Sequence, residues 1–157
     1  MKEIAIVGTL CPVFADTLSA LLQAGNSVNA FVDYPEKLMI DNSALTISRY
    51  DYTNHQALVD SFSGYHDVVL TYNDNLRDAY TNDLTLKTFV DTVHAAREAG
   101  VARVIVVGSR DSQAFFVNDL RRLDDIDWVF ISTENAYPQR VASEIENPRF
   151  HKEVYCE

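Results

Sequence analysis

Short apolar runs rich in β-branched residues alternate along this chain with longer stretches whose apolar positions recur at helical spacing. Residues 3–7 (EIAIV), 27–32 (SVNAFV), 44–49 (ALTISR), 67–72 (DVVLTY), 103–107 (RVIVV) and 127–131 (DWVFI) read as strands. Most are near-continuous apolar runs rather than strict alternations. That is the pattern of strands covered on both faces of a parallel sheet.

Between them the period changes. Residues 12–24 place Phe14, Leu18, Leu21 and Leu22 on one helical face. Pro12 suits the first helical position, where its missing N–H would be unpaired anyway, and Gly25 suits the position just past the end. Asn54 caps a helix that runs to about Phe62 and stops at Gly64. A long helix is predicted over roughly 79–99, with Leu86, Phe89, Val90, Val93 and Ala96 on its apolar face and Gly100 as its stop. Another is predicted over 112–123, with Asp111 or Ser112 as its cap. Tyr34-Pro35-Glu36-Lys37 reads as a turn, and Asn73-Asp74-Asn75 as a polar loop.

Strands alternating with helices imply parallel pairing, because parallel neighbours need crossover connections and those crossovers are right-handed. The expected fold is therefore α/β: a doubly wound parallel sheet, Rossmann-like, in three layers α/β/α, with strand order 3-2-1-4-5-6. One domain is expected over 1–157. Its tail, from about residue 138, reads as short and irregular apart from a short helix near 138–146. Ligands of this architecture bind beyond the carboxyl ends of the strands. Candidate residues therefore sit in the loops after Val7, Val32, Arg49, Tyr72, Val107 and Ile131.

Composition narrows the partners. The chain has 157 residues, 47% of them apolar and 23% charged, enough for a full core in one soluble-type domain. Its net charge is −10, from 13 Lys+Arg against 23 Asp+Glu. Such a surface repels phosphate backbones and anionic lipid, so neither nucleic acid nor membrane is expected as a partner. No apolar run approaches the ~20 residues of a membrane span. Met1-Lys2-Glu3 leads straight into a strand without the features of a signal peptide, so a cytoplasmic location is expected. Cys11 and Cys156 form no C-x-x-C, and His55, His66, His94 and His151 show no ligand spacing, so neither a disulfide framework nor a metal site is expected.

Several segments, in order, resemble the atypical and extended short-chain dehydrogenase/reductases, above all the small NADH–flavin reductase-like and NmrA-like members. Residues 3–25 match the strand–loop–helix that carries G-x-x-G-x-x-G. "FVDYPEKL" (31–38) matches the segment after the second strand. "YDYTNHQALVDSFSGYHDVVLTYN" (50–73) resembles the turn, helix and fourth strand. "HAAREAGVARVIVVGSRDS" (94–112) is the most characteristic stretch, and "DDIDWVFISTENAYP" (124–138) resembles the sixth strand and the substrate-side loop.

The resemblance implies an NAD(P) site in which Gly8, Leu10 and Cys11 belong to the phosphate loop. It implies that Asp33 meets the adenosine ribose, that Asp51 and Tyr52 meet adenine, and that Thr71, Tyr72 and Asn73 line the nicotinamide side. Gly8 keeps the first glycine position, whereas Cys11 and Phe14 stand at the second and third. Pro12 also removes an N–H from the helix start, where such groups bind anions. The loop is thus expected to be degenerate, with NAD or NADP bound weakly or lost, and Asp33 would favour NAD. The alternatives stay open: an ordinary strand–helix turn with Phe14 in the core, and turn or capping roles for Asp33 and Asp51.

Ser109 stands where the family often places a catalytic hydroxyl. Its usual partner, Tyr-x-x-x-Lys, is absent: Asp33, Asp83 and Pro148 stand four residues before Lys37, Lys87 and Lys152. Ser109, Glu134, Asn135 and Tyr137 would border the small-molecule substrate, in a pocket that is shallow or completed by a second copy in a homodimer. Two functions compete. One is an NAD(P)H-dependent oxidoreductase with a flavin-like acceptor, which needs positioning more than a protein acid. The other is a non-catalytic NmrA-like binding or regulatory module.

Overall fold

In the computed structural model, described over residues 3–8, 11–51, 53–72, 79–134, 137–148 and 152–155, the two periodicities become one sheet flanked by helices. The strands are β1 (Glu3–Val7), β2 (Ser27–Val32), β3 (Leu45–Arg49), β4 (Asp67–Thr71), β5 (Arg103–Gly108), β6 (Asp127–Ser132) and β7 (Glu153–Tyr155). The helices are α1 (Pro12–Gln23), α2 (His55–Phe62), α3 (Ala79–Glu98), α4 (Gln113–Leu120) and α5 (Tyr137–Glu146), with single 3₁₀ turns at Pro35–Lys37 and Arg110–Ser112.

The sheet order is β3-β2-β1-β4-β5-β6-β7, and every pairing is parallel. The expected order 3-2-1-4-5-6 is present, extended by one strand. The C-terminal stretch, expected to be irregular apart from a short helix near 138–146, holds that helix as the ten-residue α5 and adds the three-residue β7. α5 buries only Val141, Ile145 and the charged Glu144, so its sequence reads as polar. β7 is too short to show a period.

Successive strand residues face opposite sides. Val68, Leu70, Val104, Val106 and Phe130 face one helical layer with Leu58, Phe62, Phe89, Val93, Phe116 and Leu120 of α2, α3 and α4. Ile4, Ile6, Val69, Ile105, Val107, Val129 and Ile131 face the other with Phe14, Leu18 and Leu21 of α1 and Val141 and Ile145 of α5. Burial on both faces explains the continuous apolar strands.

α1 ends where the sequence indicates. Gly25 takes φ +88°. Its N–H donates to Leu22 O at 3.0 Å, and the Asn26 N–H donates to Leu21 O at 3.3 Å. This pair of bonds returns the chain from helix to β2 and needs a residue at ease with positive φ.

At the amino end of the sheet, Arg103 is in register with Asp67 on one side and Asp127 on the other. Arg103 and Glu144 are both 3% exposed and form an ion pair. Arg103 Nη1 also donates to the Glu144 main-chain carbonyl at 3.2 Å. This pair ties α5 to the sheet. No helix among the described residues is long and apolar enough to cross a membrane.

Candidate functional site

The carboxyl ends of the strands gather most of the expected residues along one edge. Gly8 follows β1, and its N–H donates to Phe31 O at 3.4 Å. A Cβ built on Gly8 would lie 2.1 Å from Thr71 Oγ1 and 3.0 Å from the Phe14 ring. Glycine is thus required by close packing: Thr71 sits directly on it and donates to Val7 O at 3.2 Å. Phe14 is fully buried in the core between the sheet and α1.

Cys11 occupies the N-cap position of α1 in an extended conformation, φ −142° and ψ 167°, and its side chain makes no capping hydrogen bond. The thiol packs, half-buried, against the core layer of α1 and α5. The Cys11 carbonyl accepts the first helical bond, from Ala15 N–H at 3.0 Å. Pro12 has no N–H to offer. The first-turn N–H groups of Val13 and Phe14, which a helix leaves without an intrahelical acceptor, have no side-chain cap from Cys11. The start of α1 therefore suits an anion, with one donor fewer than usual.

Asp33 follows β2 and Arg49 ends β3, side by side because Val32 pairs with Arg49. Arg49 Nη1 donates to the Asp33 main-chain carbonyl at 3.3 Å. Partial burial raises the Asp33 carboxyl above its ordinary value, and the Arg49 charge pulls against that rise. The sequence reading does not anticipate Arg49, although its place at the end of β3 beside the end of β2 could have marked it. Asp51 is exposed, and its Oδ1 accepts from Thr53 N–H at 3.1 Å and from Thr53 Oγ1 at 2.6 Å. Those bonds hold its carboxyl below the ordinary value. Asp51 therefore closes a turn, while Asn54 caps α2 by accepting from Ala57 N–H at 3.1 Å. Tyr50, buried in the core layer of α2 and α3, bonds through its hydroxyl to Thr92 of α3.

Tyr72 covers the end of the sheet, and its N–H donates to Val107 O at 3.0 Å. Its ring stacks on Phe116 with centroids 4.6 Å apart and meets Phe89 edge-on at 5.7 Å. Burial, reinforced by Tyr50, pushes the phenol well above its ordinary value, so it stays neutral at physiological pH. Phe116 and Phe89, themselves buried in the core, hold that ring in place.

Ser109 follows β5, and its hydroxyl is engaged: Oγ accepts from Ser112 N–H at 3.1 Å. In return Ser112 Oγ donates to Ser109 O at 2.8 Å. Ser112 stands at the N-cap position of α4, one of the two expected positions, but makes no side-chain capping bond; the side-chain cap is made one turn earlier, by Ser109 over the 3₁₀ turn. Glu134 follows β6 and lies beside Arg110, with Nε to Oε2 at 3.5 Å. Tyr137, at the start of α5, donates to Asp16 Oδ2 of α1 at 3.0 Å, which joins the two helices of that layer. Leu10, Tyr52, Asn73 and Asn135 lie outside the described residues, as does Cys156.

A doubly wound sheet with an uncapped helix start after β1 and an acidic residue after β2 is the framework of a dinucleotide-binding domain. The chain belongs to the NAD(P)H-binding family, whose model matches residues 15–135. No curated protein matches its sequence. Among solved structures it is similar to a candidate epimerase of Bacteroides thetaiotaomicron, 22% identical with a TM-score of 0.82, over 99% of this chain and 98% of that one. It is also similar to the oxidoreductase YlbE of Lactococcus lactis, 14% identical with a TM-score of 0.83, over 98% of this chain and 89% of that one. A third is the NADPH-dependent quinone oxidoreductase of Escherichia coli, solved with NADPH. It is 15% identical with a TM-score of 0.77, and the match covers 97% of this chain and 68% of that one. At these identities the likeness shows the shared fold.

Proposed function

We propose that this protein is an NAD(P)H-dependent oxidoreductase that reduces a flavin-like or other small planar acceptor without a Tyr–Lys dyad. The observation that carries this reading is the pairing, along one edge, of an uncapped α1 start with the half-buried Asp33 carboxylate. The α1 start would hold the pyrophosphate. Asp33 would accept from the adenosine ribose hydroxyls, which favours NAD(H) over NADP(H). Pro12 withholds a donor and Thr71 fills the space over Gly8, so the loop is degenerate and affinity is low.

A bound reduced nicotinamide supplies a hydride. The protein's part is to orient and to exclude water. Thr71 and Tyr72 shape the floor beyond β4, where Tyr72 stands as a neutral phenol packed on the buried rings of Phe116 and Phe89. Ser109, engaged as a cap, positions the segment after β5 rather than relaying a proton. Glu134 and Tyr137 border the acceptor side.

Calorimetric titration with NADH and NADPH, followed by turnover assays with flavins and quinones, tests this reading. Binding in the high-micromolar range, at about −5 kcal/mol, is expected, with turnover of a planar acceptor. A sub-micromolar dissociation constant would refute the degenerate loop. Cys11→Gly with Pro12→Ala is expected to strengthen binding about tenfold, or ~1.4 kcal/mol. A second reading, a non-catalytic NmrA-like module, is favoured by Pro12 and by the packing of Thr71 on Gly8. It predicts no turnover with any acceptor.

A further inference from the structure

Where the ends of β2 and β3 meet, a carboxylate and a guanidinium stand side by side with most of their bonding capacity unused. Val32 is in register with Arg49, and Tyr50 N–H donates to Val32 O at 2.9 Å. The Arg49 side chain therefore leaves the sheet beside Asp33. Its Nη1 donates to the Asp33 main-chain carbonyl at 3.3 Å. That bond uses a single N–H of a guanidinium that carries several. The remaining donors, and both oxygens of the half-buried Asp33 carboxyl, bond to no described residue. The two side chains act on one another through their charges without bonding.

A carboxylate after β2 accepts from the hydroxyls of a ribose and repels a phosphate on it. A guanidinium does the reverse, because its planar fork meets a phosphate with two parallel bonds. Here both act at one place. Arg49 is moored to the carbonyl of the same residue whose carboxylate would meet the ribose. A phosphate on that ribose would lie between a repelling carboxylate and an attracting guanidinium. Arg49 is exposed, so it can meet a ligand without first giving up a buried contact. Lys37, the cation of the segment between β2 and β3, is instead turned over the Tyr34 ring, 4.7 Å from its centroid.

We infer that Arg49 sets the breadth of cofactor use: it offsets the Asp33 charge and lets the site take the 2′-phosphorylated dinucleotide, NADP(H), nearly as well as NAD(H). This rests on the oxidoreductase reading and narrows the preference that Asp33 alone would give.

Titration of wild type, Arg49→Ala, Arg49→Lys and Asp33→Asn with NADH and with NADPH, followed by nicotinamide fluorescence, tests the assignment. Circular dichroism checks that the variants fold. Wild type is expected to prefer NADH by less than about tenfold. Arg49→Ala is expected to weaken NADPH about tenfold more than NADH, the worth of a charge-assisted contact. Arg49→Lys keeps the charge and loses the fork, so it should recover part of that difference. Asp33→Asn should reverse the preference. Added salt should weaken NADPH more than NADH on wild type, and 2′-AMP should displace NADPH more readily from wild type than from Arg49→Ala. A wild-type preference for NADH above about tenfold, or equal weakening of both cofactors by Arg49→Ala, would overturn the role of Arg49 and leave the oxidoreductase reading standing. Binding of neither cofactor would overturn both.

Discussion

Replacing Glu144 by alanine isolates what the buried pair beneath α5 contributes. Arg103 and Glu144 are each 3% exposed, and Arg103 donates both to the Glu144 carboxylate and, at 3.2 Å, to its main-chain carbonyl. Removing one partner of a buried pair costs about 3–5 kcal/mol, because the other charge is left uncompensated. Here the compensation is only partly lost. Asp67 and Asp127 remain in register beside Arg103, and the carbonyl bond survives the change. Glu144→Ala should therefore cost about 3 kcal/mol, the lower end of the range. Arg103→Met is the harsher change, since it leaves the Glu144 carboxylate buried without its cation, and it should cost about 5 kcal/mol. In a chain of this size about 1 kcal/mol moves Tm by about 2–4 °C, so the expected losses are roughly 6–12 °C and 10–20 °C. Urea and thermal unfolding followed by circular dichroism read both values. A Glu144→Ala cost below about 1 kcal/mol, or one exceeding that of Arg103→Met, would refute the reading that the buried pair anchors α5 to the sheet.

Other residues give further expectations. Gly8→Ala should destabilise the fold by about 1–3 kcal/mol, because its Cβ would meet Thr71 Oγ1 at 2.1 Å. Thr71→Ala in the same chain should recover part of the loss, and unchanged urea midpoints would contradict this. The phenol of Tyr72 is held well above its ordinary value by burial, so its protonated form is favoured by folding. That contribution is full below about pH 10, where an unfolded tyrosine ionises, and is lost as pH rises through the folded value. Wild type should therefore lose stability at alkaline pH more steeply than Tyr72→Phe, and parallel curves would refute it. Ser109→Ala removes one of the two acceptors of the Ser112 N–H and leaves the Ser109 carbonyl at 3.1 Å, so it should cost about 0.5–1 kcal/mol of stability. In an active protein it should lower turnover by less than about tenfold, whereas a loss of about a thousandfold would reveal a proton-relay role.

Most of the strands were legible because they are apolar on both faces and bounded by glycine or a polar turn. Asn54 and Gly25 announced their caps through residue type alone. Their hydrogen bonds are local, and local chemistry survives in a sequence. α5 was legible only as a short helix and not in its attachment to the sheet, and β7 was not legible at all, for the opposite reason. α5 is fixed by a charge on β5, some forty positions earlier in the chain, and β7 by pairing with an edge that no pattern within its three residues records. The site divides the same way. Asp33 is found by its distance from β1, whereas the neighbour that modulates it, Arg49, is found only when β2 and β3 are laid side by side. Ser109 was singled out correctly as a position at the end of β5, but its hydroxyl is taken by a turn whose 3₁₀ geometry the helical period does not distinguish from the first turn of α4.

β7 has a consequence for solubility. β6 is an apolar strand whose last five residues are buried, and without a neighbour its open ladder would be a template for any extended chain. Three residues of β7 close the central part of that ladder, Val129 to Ile131, and leave an outer rim too short to recruit further strands. At the opposite rim, β3 is only partly buried and carries Thr46, Ser48 and Arg49, which disfavour stacking by a like strand. Cutting the chain after Glu146 would thus do more than shorten it. It would uncover the stickiest rim of the sheet, and the shortened protein should precipitate or self-associate under conditions where the full chain stays dispersed.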